Sequence, residues 1–229
     1  MTNSRAKLRA LILRVAPALE RYIERKTYDQ FRARLWAAVV RLFEGGHDSS
    51  FMATFARSID VQLTEAWNLG AAEVGVQPDE MNNDDVNILR SIIANEMQFI
   101  QGIAGEIQSD VDNGLTREQL ESYYGNRVSL WATRYLETQN RARMVFGSKQ
   151  KFIWVRGPTS DGCDTCIALN GIVAFGWEWE EARFIPQNPP NRLLKCSGWG
   201  CLCEIKPTTK RRTARALDRL LTIATADNL

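Results

Sequence analysis

Histidine is nearly missing from this chain: His47 is the single imidazole in 229 residues. One histidine excludes the histidine-rich metal nucleases and leaves a nucleophilic cysteine without a ready base. The glycine patterns that cradle phosphates or dinucleotides, G-x-x-x-x-G-K and G-x-G-x-x-G, are absent, as is the nucleophile elbow G-x-S-x-G. No apolar run approaches the roughly 18 residues that cross a bilayer, and the best, Leu35 to Leu42, is broken by Arg41. Arg14 and Glu20 interrupt any signal-peptide core near the N-terminus, so the expectation is a protein made and kept in a cytoplasm, with no membrane partner. Cysteine is absent before position 163 and after position 203.

The remaining composition is that of a folded protein, 45% hydrophobic and 24% charged. Its net charge of +2 conceals a division. Residues 1–44 carry ten Lys/Arg against four Asp/Glu, residues 45–146 seven against fifteen, and residues 147–229 twelve against eight. Two basic ends flank an acidic middle, which suggests different partners along the chain.

Residues 1–146 read as a helical region. Leu8, Leu11, Ile12 and Val15 make one apolar stripe, Pro17 kinks or restarts the helix, and the stripe resumes through Phe31, Leu35, Val39 and Leu42 before Gly45-Gly46. A second helix begins near Ser49 or Ser50, carries Phe51, Phe55, Ile59, Leu63 and Trp67 inside, and stops at Gly70. After a loop from Val74 to Asn83, a long helix runs from Asp84 or Asp85 to about Val111. Asn113-Gly114 breaks it. Thr116 then opens a last helix in a capping box with Gln119, running to about Met144.

The texture changes at Gly147. Five of the seven prolines and four of the seven tryptophans follow it. Lys151–Arg156 and Ile172–Phe175 read as strands, and the rest of 147–207 reads as loop. Glu178, Glu180 and Glu181, alternating with Trp177 and Trp179, read as a solvated strand or turn rather than a carboxylate site. A loop of this length needs a staple. Residues 208–229 form a basic tail or terminal helix bearing Lys210, Arg211, Arg212, Arg215 and Arg219.

The staple is in the cysteines. All five lie within 41 residues, whereas cysteines used as small core hydrophobes would be scattered. Cys163-Asp-Thr-Cys166 has the spacing that lets one tight turn present two thiolates to a tetrahedral ion. Cys196, Cys201 and Cys203 follow, with glycines around Trp199 that allow the chain to fold back. In an extended segment Cys201 and Cys203 point to opposite sides, so one of them is a ligand. The expected set is Cys163, Cys166, Cys196 and Cys203, with Cys201 as the alternative to Cys203, holding zinc. Disulfides are the competing reading if the protein ends in a particle outside the cell. The fold class is therefore mainly α: a helical N-terminal two-thirds followed by a small cysteine-rich, metal-stapled β/loop module.

The C-terminal pattern resembles the phage Mu F-like family of head morphogenesis (minor capsid) proteins, related to the SPP1 minor head protein. The similar pieces stand in order: the helix end Leu136-Glu-Thr-Gln-Asn-Arg-Ala-Arg-Met-Val-Phe-Gly147, the strand Phe152-Ile-Trp-Val155, the knuckle Asp161-Gly-Cys-Asp-Thr-Cys-Ile-Ala-Leu-Asn-Gly171, and the closing Gly200-Cys-Leu-Cys-Glu-Ile205. The family's His-Pro before its last cysteines is replaced by Gly198-Trp199, and Cys196 stands two residues earlier, placed to take over the histidine's role. The resemblance implies a non-enzymatic structural protein of a tailed-phage head, made in the host cytoplasm and carried in the virion. It would act in several copies near the portal, with portal or major capsid protein as partner. Packaged DNA is a further candidate partner for Lys210, Arg211, Arg212 and Arg215. The competing expectation is a zinc-ribbon-like nucleic-acid-binding module on a helical stalk.

Overall fold

The computed structural model describes residues 27–46, 48–157, 162–188, 190–198 and 201–226. The Leu8–Val15 stripe, Pro17, His47, Trp199 and the N-terminal basic residues lie outside them.

Residues 27–43 form α1, whose Phe31, Leu35, Ala38, Val39 and Leu42 are buried at the three-and-four spacing of one helix face. Gly45, at φ +90, supplies the left-handed turn that ends it. The next helix, α2 (Asp48–Ala72), buries Phe51, Phe55, Ile59, Leu63, Ala66 and Trp67 in the same core. A 3-10 turn, Pro78–Glu80, leads into α3 (Asn83–Asp112). Its cap is Asn82, which accepts from the Asp84 and Asp85 N–H groups while Asp85 returns a bond to the Asn82 N–H. The helix thus starts slightly before the position expected from its acidic residues. The Thr116–Gln119 box opens α4 (Arg117–Phe146) as expected.

Packing runs chiefly through α2, which lies against both α3 and α4. Phe55 meets the edge of Trp131 at 4.9 Å, and Trp67 meets Phe146 at 5.4 Å. The sequence reading ended α2 at Gly70, but the helix continues to Ala72. Gly70 is instead a point of close approach: a Cβ there would lie 2.3 Å from the Gln139 carbonyl oxygen and 2.8 Å from the Ala142 Cβ. Charge entering this core is paired, with Arg134 bridging Glu96 of α3 and Glu137 of its own helix. Burial nevertheless pushes both carboxyls above their ordinary range.

The second part is built on β1 (Lys151–Val155), the central strand of an antiparallel sheet in the order β2-β1-β3. The outer strands are β2 (Val173–Phe175) and β3 (Glu204–Pro207), in registers that place Ile153 opposite Val173 and Trp154 opposite Ile205. The expected strands at 151–156 and 172–175 are therefore present. The third was read as loop. Two short helices also interrupt that loop: α5 (Asp164–Leu169) and α6 (Gly176–Glu181). Phe152 and Trp154 on one face of β1 form a core with Leu169, Trp179, Phe184 and Ile205. Basic segment 208–215 leads to α7 (Ala216–Ala226), which adds Ala216, Leu220 and Ala224 to that core.

The module is seated on the helices by direct contacts. Met144 of α4 and Val74 after α2 belong to its core, and the Gln150 side chain donates to the Val74 carbonyl at 2.8 Å. Asn140 of α4 donates to Gln187 at 3.3 Å, beside the Arg143–Glu73 pair that ties α4 to the end of α2.

Candidate metal centre

Cys163 is the N-cap of α5, and its sulfur accepts the Cys166 backbone N–H at 3.3 Å. The two-residue spacing thus closes a single turn with both thiols on its inner side. The pair follows a strand and opens a helix, but the sheet beside it is antiparallel, so no thioredoxin-like βαβ unit surrounds it.

Cys196 reaches this turn from a separate loop. Asn191 N–H bonds the Ser197 carbonyl at 3.0 Å, and Ser197 (φ 51) and Gly198 (φ 78) are both left-handed, which folds the segment back on itself. The Lys195 N–H then donates to the hydroxyl of buried Thr165 at 3.1 Å, stitching the loop to α5 between the first two cysteines.

Cys201 and Cys203 arrive from the sheet. Pairing of β3 with β1 places Val155 opposite Glu204 and brings the preceding residues against Gly157. A Cβ on Gly157 would lie 2.4 Å from both the Cβ and the carbonyl oxygen of Leu202, so the strands close only around glycine. The sequence reading gave one of these two cysteines to the site and turned the other away. Both instead face inward, because residues 201–203 are irregular and β3 begins only at Glu204.

The five sulfurs form two groups that share one member. Cys163, Cys166 and Cys196 have sulfurs within 4.8 Å of one another, and so do Cys166, Cys201 and Cys203. No disulfide joins any of them. Of the expected ligands, Cys163, Cys166 and Cys196 stand together, while Cys203 stands with Cys166 and Cys201 in the second group. The cluster is positioned to hold a metal ion.

The surroundings favour thiolate at Cys203 and Cys163 and oppose it at the other three cysteines. Hydrogen bonds from the Cys166 thiol and then the Cys201 thiol, helped by the Gly157 N–H and the Trp154 indole N–H, hold the Cys203 thiol down to about 2. A bond from Cys166 also favours the Cys201 thiolate, but donation to Cys203 and burial outweigh it and push that thiol up to about 12. Cys166, bonded to Cys201, Cys203 and Cys163, is raised. Burial raises Cys163, yet bonds from Cys166 and Cys196 bring it below the ordinary thiol range; burial lifts Cys196, partly offset by the Gly198 N–H. Trp154 is the informative neighbour. Its buried indole nitrogen has no formed hydrogen bond and lies beside the Cys203 sulfur, whose charged form it would satisfy. An all-sulfur donor set with N–H groups turned toward it fits a soft d10 cation such as zinc.

The other expected site residues are placed differently from one another. Lys210, Arg211 and Arg215 are exposed between β3 and α7. Arg212 is held by Glu178 and lies over the Phe175 ring at 5.7 Å. Glu178 was read as solvated, but it is fully buried, because its carboxylate caps the Phe175 N–H at 2.8 Å and receives the Arg212 guanidinium. Trp154, Gly157 and Thr165 were not singled out from the sequence. The run Phe152-Ile-Trp-Val155 is apolar throughout and shows no alternation, so only the period-two burial of β1 in the fold marks Trp154 as inward-facing.

No protein-family model, curated protein or solved structure matches the chain. Among the described residues, no helix is long and apolar enough to cross a membrane.

Proposed function

We propose that the chain is a non-enzymatic minor capsid protein of a tailed-phage head, acting in assembly near the portal, with a zinc-stapled C-terminal module. The observation that carries this reading is the ordered series from the end of α4, through β1 and the Cys163–Cys166 turn, to Cys201–Cys203, packed as one body onto the helices. Thiolate-only donors suit a structural ion, which fixes loops without redox chemistry. The metal lets a short, proline-rich segment present a rigid surface at the end of a long helix. The helical part supplies length and attachment, with portal or major capsid protein as the docking wall in a multi-copy assembly.

Mass spectrometry of purified particles should find the chain, and particles lacking it should assemble poorly or lose infectivity. Absence from purified particles together with turnover of a small substrate overturns the reading. Metal analysis of protein purified under reducing conditions should find zinc; iron or no metal in the folded protein refutes that identity. A second reading, a zinc-ribbon-like nucleic-acid-binding module, is favoured by the exposed Lys210, Arg211, Arg215 and Arg219 in one short stretch. It predicts DNA binding by the isolated full chain, independent of any head protein.

A further inference from the structure

The arrangement of the sulfurs bears on how many ions the staple holds. In a closed tetrahedral site, metal–sulfur bonds of about 2.3 Å place all four sulfurs about 3.8 Å from one another. Here the three sulfurs of each triad lie within 4.8 Å of one another, and among the described residues no fourth histidine, cysteine or carboxylate lies as close to all three. Each triad also has its own scaffold. The first is framed by the α5 turn and the 191–198 loop, tied together through Lys195 and Thr165. The second is framed by the approach to β3, packed against Gly157 and Trp154. Cys166 alone belongs to both.

We propose, building on the metal-stapled reading, that the centre takes two soft d10 ions bridged by the Cys166 sulfur. One ion sits on Cys163, Cys166 and Cys196, the other on Cys166, Cys201 and Cys203. A thiolate sulfur has lone pairs for two cations, and thiolates are the donors that select such ions. Charge points the same way. One dication on four thiolates leaves a net −2 in a mostly buried cluster, whereas two dications on five thiolates leave −1. Each three-sulfur ion keeps one position for water, as three-donor zinc sites do.

Cadmium is the probe. The reduced full-length chain is titrated with Cd(II) while sulfur-to-metal absorbance and native mass are followed. The absorbance should break at two Cd(II) per chain, with two cadmium NMR signals coupled through the shared sulfur. Cys196→Ser and Cys203→Ser should each bind one ion, moving the break from two equivalents to one. A break at one equivalent in the parent chain overturns the bridged pair and leaves the single-ion staple standing. No cadmium bound by the reduced, folded chain overturns both. The parent stoichiometry decides the matter even if a variant fails to fold.

Discussion

The Glu178 carboxylate grips the Arg212 guanidinium through both oxygens, joining positions 34 residues apart and fastening the chain between β3 and α7 onto α6. Thr213 strengthens the same join, since its N–H donates to the Val173 carbonyl at 2.8 Å and its hydroxyl accepts from the Val173 N–H at 2.9 Å. The C-terminal segment is thus fixed to the cysteine module, and α7 closes a core that the module could not cover alone.

The pair has a pH signature. Burial alone would raise the Glu178 carboxyl, but the Arg212 bond and the Phe175 N–H outweigh it and hold it below the usual carboxylate range. A carboxyl depressed on folding contributes stability that is present above its unfolded value and lost as pH falls through the folded one. Glu178→Gln should therefore cost about 1–3 kcal/mol at neutral pH. In urea titrations the gap between parent and variant should close in acid. A gap that stays constant from neutral to acid pH would show that the carboxylate charge contributes nothing.

Gly70 and Gly102 should respond oppositely to alanine. Gly70→Ala drives a Cβ into the Gln139 carbonyl of α4, a backbone atom that cannot swing aside, and should destabilise by about 1–3 kcal/mol. Gly102 sits in α3 with nothing within 4 Å of the added carbon, so Gly102→Ala should stabilise by about 0.5–1 kcal/mol through helix propensity. Thermal melts of the two variants check this, and equal shifts would refute the close approach of α2 and α4.

This glycine pair also shows what a sequence can reveal. Amphipathic stripes and the Thr116–Gln119 box identify the long helices, because period and capping are local properties. Gly70 looks like a stop in one dimension, since the close passage of Gln139 is set by a helix residue 69 positions later in the chain and not by its neighbours. Cysteine clustering likewise announces the cluster positioned to hold a metal ion. Yet the inward turn of both Cys201 and Cys203 depends on β3 starting only at Glu204, which follows from pairing with β1. Glu178 reads as solvent-facing until Arg212 is brought to it. Local signals survive in the sequence, while pairings made by tertiary contact do not.

If the cysteine cluster holds an ion as proposed, removing it should separate the two cores. The cysteines hold only the second, and the helical core around Phe55, Trp67 and Trp131 shares none of them. A strong chelator under reducing conditions should abolish the near-ultraviolet signal of Trp154 and Trp179, whose rings lie 5.7 Å apart, while most of the far-ultraviolet helical signal persists. Zinc should restore the lost band. A metal-free protein that keeps its tryptophan signal would show that the cysteines are not a staple.

The basic stretch before α7 separates a DNA-binding surface from a structural tie. Lys210, Arg211, Arg215 and Arg219 are exposed, whereas Arg212 is committed to Glu178. If packaged DNA is the partner, the exposed cations supply phosphate contacts, and each contact released adds about 0.9 to the slope of log affinity against log salt. Replacing Lys210, Arg211 and Arg215 together with Ser should weaken binding at low salt and flatten that slope, with little change in melting temperature. Arg212→Ser should do the reverse, lowering the melting temperature through loss of the Glu178 tie while leaving the slope near the parent value. Fluorescence anisotropy with duplex DNA over a salt series, run beside thermal melts, reads both effects. If the triple variant binds as the parent does at every salt concentration, the exposed cations do not contact DNA, and the stretch is left with docking on an acidic protein wall.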